Sequence, residues 1–67
     1  MNNDRKWAQR EQVRYRMYEA QTRVNKHLAV ALETNSGPEY ERQVGFAAKA
    51  ANDYNVWKTV LESLNQL

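Results

Sequence analysis

The sequence predicts an all-α fold: two long antiparallel helices forming a helical hairpin, one domain over residues 1–67. Three observations carry this. No glycine or proline interrupts the chain from Asp4 to Thr34. The only proline, Pro38, stands beside Gly37 in the junction TNSGPEY, residues 34–40. Beyond it, Tyr40, Gln43, Ala47, Ala50, Tyr54, Trp57, Leu61 and Leu64 recur at alternating steps of three and four, a heptad seam.

The first helix is expected over about 4–34. It carries the looser seam Val13, Met17, Ala20, Val24, His27 or Leu28, and Ala31. The stretch VRYRMY, residues 13–18, alternates apolar and charged residues as a strand would, yet no second run exists to pair with it. The hinge falls at 35–37. Asn35 and Gly37 suit the end of one helix, and Ser36 with Glu39 has capping-box spacing for the next. Pro38 falls in the first turn of the second helix, about 38–66, where a missing N–H costs nothing.

So short a link forces the helices to fold back on each other. Folding about residue 36 sets Val24, His27 and Leu28 opposite Ala47, Ala50 and Ala51. Farther out, Met17 and Ala20 meet Tyr54, and Val13 meets Trp57. Large side chains oppose small ones near the hinge. The stretch GFAAKAAN, residues 45–52, therefore reads as a close-packing segment.

A chain of 67 residues with no cysteine must be held by packing or by assembly. Eight of its apolar residues are alanine and none is isoleucine, and each buried CH₂ is worth only about 0.8 kcal/mol. Large side chains remain outside the seams: Trp7, Tyr15, Tyr18 and Leu32 on the first helix. On the second, a nearly uncharged strip of Gly45, Asn52, Val56, Thr59 and Ser63 runs with Val60 beside it. These six are the oligomer-interface candidates. Self-association into a four-helix bundle, or a higher homo-oligomer, would cover such surfaces.

Catalysis is not expected. The single histidine, the missing cysteine and the scattered carboxylates match no catalytic or metal-ligand spacing, and no cofactor is implied. His27 reads as a half-buried imidazole bonded to a backbone carbonyl or across the hairpin, in preference to a metal ligand or pH switch. Lys58, within the apolar arc of the second helix, reads as a snorkelling side chain. The polar start and the absence of an apolar run point to a cytoplasmic protein with no membrane partner.

The net charge of +2 is unevenly divided, +3 over residues 1–35 and −1 over 36–67. The basic, aromatic stretch RKWAQREQVRYRMY, residues 5–18, is the most suggestive feature. Trp7, Arg14, Tyr15, Arg16, Tyr18, Arg23 and Lys26 are the partner- or anion-binding candidates. Arginine beside aromatic rings suits protein interfaces; it equally suits phosphate contact and base stacking. Asp4, Glu11 and Glu19 interrupt the positive field, and Glu19 with Arg23 has the spacing of a solvated helix pair.

The expected function is a small non-enzymatic binding protein, of the size of phage- and plasmid-type regulators and inhibitors, acting by contact with a larger protein. The alternative is an oligomeric anion binder that captures nucleic acid or a nucleotide through the arginines and tyrosines of the first helix.

Overall fold

A computed structural model describes residues 2–34 and 36–67, with side chains from Arg5 onward. Helix α1 (Asn2–Thr34) and helix α2 (Gly37–Gln66) pack against each other as an antiparallel hairpin. The helix stop expected of Asn35 and the charge of Asp4 lie outside the described residues and side chains. The VRYRMY stretch is helical. Its exposed arginines and tyrosines lie on faces that need no partner strand.

The seams lie where the 3–4 alternation puts them. On α1, Lys6, Arg10, Val13, Met17, Ala20, Val24, His27, Ala31 and Thr34 are all buried or half-buried. This extends the expected seam by two residues at the open end and one at the hinge. His27, not Leu28, takes the seam position; Leu28 is 43% exposed. On α2, Gln43, Ala47, Ala50, Tyr54, Trp57, Leu61 and Leu64 are buried or half-buried, while Tyr40 at the hinge is 38% exposed.

The fully packed core is small: Val13, Ala20, Ala31, Ala47 and Ala50. Four of those five contribute a single methyl group, which lets the helices approach closely. Ala48, in the same alanine-rich segment, is exposed, and Ala51 is half-buried. The larger seam residues, Met17, Val24, Tyr54, Trp57, Leu61 and Leu64, are covered only in part. Two helices have two open flanks, so a seam residue meets solvent on either side of the partner helix.

The hinge differs in detail from expectation. Gly37 is the first residue of α2, with φ +89°, a backbone conformation disfavoured for residues with a Cβ. Ser36 is the N-cap in an extended conformation, and its side chain makes no capping hydrogen bond. The capping box fails because Glu39 is engaged elsewhere: its Oε1 accepts from Gln43 Nε2 at 2.9 Å, and its Oε2 lies 3.3 Å from Arg42 Nη1. The turn is tightened by Ser36 N–H donating to Thr34 O at 2.7 Å, while the Thr34 hydroxyl donates to Ala31 O at 3.0 Å. Pro38 sits in the first turn of α2, as its fixed φ favours.

The molecule is a slab, 53 × 14 × 10 Å between its Cα extremes. It therefore presents two broad sides, each contributed by both helices. His27 and Phe46 identify one of them, their ring centroids 5.2 Å apart. A notch on this side is lined by Arg23, His27, Phe46, Lys49, Ala50 and Asp53. The opposite side carries the residues that flank the seams on their other edge, including Leu28 on α1 and Val44 on α2. No described helix is long and apolar enough to cross a membrane.

Candidate functional site

The seven candidate residues of α1 do not form one site. Heptad geometry distributes them around the helix. Trp7, Arg14 and Tyr18 follow each other at steps of seven and four. The same rhythm continues through Gln21, Asn25, Leu28 and Leu32, forming a second stripe beside the seam. Tyr15 stands on the outermost ridge. Arg16, Arg23 and Lys26 fall on the other side, toward Phe46 and Lys49 of α2.

The three aromatic candidates are mostly exposed. Trp7 is 62% exposed, Tyr15 61% and Tyr18 70%. Tyr15 and Arg16 line a shallow concavity with Glu11 and Gln12. Tyr18 lines a second one with Glu19, Thr22, Arg23 and Lys26. The backbone beneath is further tied by Thr22 Oγ1 donating to Tyr18 O at 2.9 Å.

Two of the guanidinium groups already hold a carboxylate. Arg14 Nη1 lies 2.6 Å from Glu11 Oε1, and Arg16 Nη1 lies 3.4 Å from Glu19 Oε1. Both pairs are at i,i+3 and solvent-exposed, so each is worth well under about 1 kcal/mol of stability. Their importance is positional: they hold the guanidinium planes along the helix surface and reduce the net positive field. The i,i+4 pair expected between Glu19 and Arg23 gives way to the Arg16 pair. Arg23 and Lys26 have no carboxylate within 4 Å among the described residues.

His27 bonds across the hairpin. Its Nδ1 lies 2.7 Å from Gln43 Oε1. Because Gln43 spends its amide N–H on the acceptor-only Glu39, its oxygen faces the imidazole, and Nδ1–H must be the donor. Lys58 is exposed. Among the described residues, no cluster of histidine and acidic side chains is arranged to hold a metal ion.

The α2 strip is also exposed. Gly45, Asn52, Val56, Thr59, Val60 and Ser63 all face outward, with Val56 at 52% and Val60 at 36%. Residues that sequence reasoning left out of the sites are Phe46, Lys49 and Leu28. The sequence places Phe46 in a close-packing segment, yet it is 46% exposed beside the His27 ring. The fold-back about residue 36 could have placed Lys49 near Arg23. The 4–3 steps from Trp7 to Leu32 could have joined Leu28 to the aromatic residues.

Comparison with protein family models, with curated proteins and with solved structures gives no match for this chain.

Proposed function

We propose that the chain is a non-enzymatic binding protein that associates with copies of itself into a helical bundle and engages a larger protein through the outward surface of α1. The regulator or inhibitor role expected from the sequence belongs to this reading. The contact surface centres on Tyr15 and Arg16, with Trp7, Arg14 and Tyr18 beside them. One observation carries it: three large aromatic side chains stand exposed on α1 among arginines whose charge is already tied to glutamates. Aromatic area with oriented guanidinium groups suits a protein interface, where such residues contribute most of the binding energy. A polyanion site is better served by unpaired cations.

The alternative reading, capture of a nucleic acid or nucleotide, has its own supporting observation. Arg23 and Lys26 share a concavity with Tyr18, and no carboxylate holds either of them among the described residues.

Native mass spectrometry at low and moderate salt tests both parts of the proposal. A bare oligomer supports it, and added mass matching a nucleotide or RNA supports the alternative. For the partner surface, immobilised wild type is compared with Tyr15→Ala/Arg16→Ala at equal helicity. A protein that wild type captures, that rebinds when purified and that the double variant fails to hold supports the reading. Equal capture by the variant sinks it.

A further inference from the structure

We infer that the second copy docks on the broad side opposite the His27–Phe46 notch, the side carrying Leu28, Leu32 and Val44. The inference rests on the self-association proposed above and adds the face through which it occurs.

The first argument is charge. Between Tyr18 and Leu32 on α1, and between Val44 and Asn55 on α2, no residue flanking the seams on this side is charged. The stretch spans about 20 Å of helix at 1.5 Å per residue. Its α2 half is small and apolar, with Val44, Ala48 and Ala51. Its α1 half carries Leu28, 43% exposed, and Leu32, 76% exposed. Over the same length the opposite side presents Glu19, Arg23, Lys26, Lys49 and Asp53. A two-fold contact sets a patch against its own copy, so every unpaired charge on it costs desolvation or meets its like. Over this stretch only the Leu28 side avoids this; Glu41, Lys58 and Glu62 of α2 lie on the same side beyond the two ends of the stretch. Toward the open end its Glu11 and Arg14 neutralise each other at 2.6 Å.

The second argument is area. The chain exposes 5364 Å², whereas a compact monomer of 7.9 kDa exposes about 4,400 Å² by the usual scaling. The excess, about 1,000 Å², is close to the roughly 800 Å² that each partner contributes to a stable interface. A second slab laid on the uncharged side also covers one open flank of Met17, Val24 and Tyr54, which the hairpin alone leaves half-buried. Tyr15, Arg16, Arg23 and Lys26 then remain outside the contact, available to an external partner; Trp7 and Arg14 lie beyond the uncharged stretch toward the open end, and Tyr18 stands at its border.

Sedimentation equilibrium over a range of concentrations tests the assignment on three proteins: wild type, Leu28→Glu/Leu32→Glu, and Phe46→Glu/Val60→Glu. The expected result is a wild-type dimer. The leucine pair raises its dissociation constant by at least about 100-fold, the scale of two hot-spot losses. The Phe46/Val60 pair changes it by no more than about threefold. Circular dichroism at each concentration accompanies the measurement. Helix that the leucine variant loses at low concentration and regains at high concentration supports the assignment. Helix lost at every concentration means that Leu28 and Leu32 hold the hairpin itself, and overturns it. An assembly split by the Phe46/Val60 pair alone, or left intact by both pairs, overturns the face while self-association stands. A wild type that is monomeric throughout removes self-association and the docking face together.

Discussion

His27 and Gln43 meet across the hairpin with Nδ1 and Oε1 2.7 Å apart, a polar layer beside a stretch of seam, Val13 to Val24 on α1 and Ala47 to Trp57 on α2, built from alanine and larger apolar side chains. An alanine seam is smooth and specifies register weakly, because sliding one helix past the other replaces one methyl contact with another. A hydrogen bond between two half-buried side chains does not survive such a slide. The link continues from Gln43 to Glu39 and on to Arg42, so the imidazole is anchored to the first turn of α2. Polar seam residues in paired helices set register in this way, at some cost in stability.

Removing one partner leaves the other without its hydrogen bond. His27→Ala and Gln43→Ala are each expected to cost about 1 kcal/mol, the net worth of a typical hydrogen bond plus lost contact. The double variant should cost less than the sum by at least about 0.5 kcal/mol, as expected for residues in direct contact. Thermal unfolding of the four proteins at one concentration measures the coupling. Strict additivity would mean that the pair does not interact.

The two glycines should respond in opposite directions. Gly37 has φ +89°, where a Cβ is strained whatever the space around it. Gly37→Ala is therefore expected to destabilise by about 1–2 kcal/mol. Gly45 lies within α2, and a Cβ added there meets nothing within 4 Å. Gly45→Ala should stabilise by about 0.5–1 kcal/mol through helix propensity alone. Denaturant titrations at matched concentration read both. A Gly45→Ala variant that instead weakens assembly would show that the α2 strip approaches a second copy closely.

How much of this was legible beforehand depends on which interactions are periodic. Both helices and the fold-back follow from the spacing of apolar residues and the Gly37–Pro38 junction, whereas for His27 the sequence leaves a backbone carbonyl and a neighbour across the hairpin as alternative partners. The hinge departs from its sequence pattern in detail. Ser36 and Glu39 have the right spacing for a capping box, but Gln43 and Arg42 compete for the same carboxylate, and spacing alone does not rank competitors. The candidate site was legible as composition and not as geometry. The sequence shows arginine and aromatic residues interleaved; it does not show that Arg14 turns to Glu11 and Arg16 to Glu19. That Tyr18 and Arg23 stand at opposite edges of the outer ridge, across Thr22 in one concavity, needs the second stripe from Trp7 to Leu32. That stripe is disguised by polar residues at Glu11, Gln21 and Asn25.

Ala20 is fully buried at 0% exposure where the helices pack together. Ala20→Leu adds three carbons at a position with no free surface. Overpacking of this kind typically costs about 1–3 kcal/mol. For a domain of this size, each kcal/mol lowers Tm by roughly 4–8 °C. Ala29→Leu, on the exposed outer surface of α1, is the control and should change stability by no more than about 0.5 kcal/mol. Equal effects at the two positions would contradict the close approach of the helices at Ala20.

The ion pairs of α1 separate the two readings of its surface. If Glu11 and Glu19 keep Arg14 and Arg16 from acting as free cations, wild type should bind single-stranded DNA only weakly at physiological salt. Glu11→Gln/Glu19→Gln changes two charges without changing shape, and frees both guanidinium groups for phosphate. Its affinity for a labelled oligonucleotide should rise, and the dependence of log K on log salt should steepen by up to about 1.4, or about 0.7 per added phosphate contact on a single strand. Fluorescence anisotropy across a salt series measures both quantities. The opposite outcome is equally informative. Tight wild-type binding with a steep slope, abolished by Arg23→Gln/Lys26→Gln and indifferent to the glutamates, would place the activity on the unpaired cations. The exposed aromatic residues would then serve as stacking surfaces for bases, and the protein-contact reading would give way to anion capture.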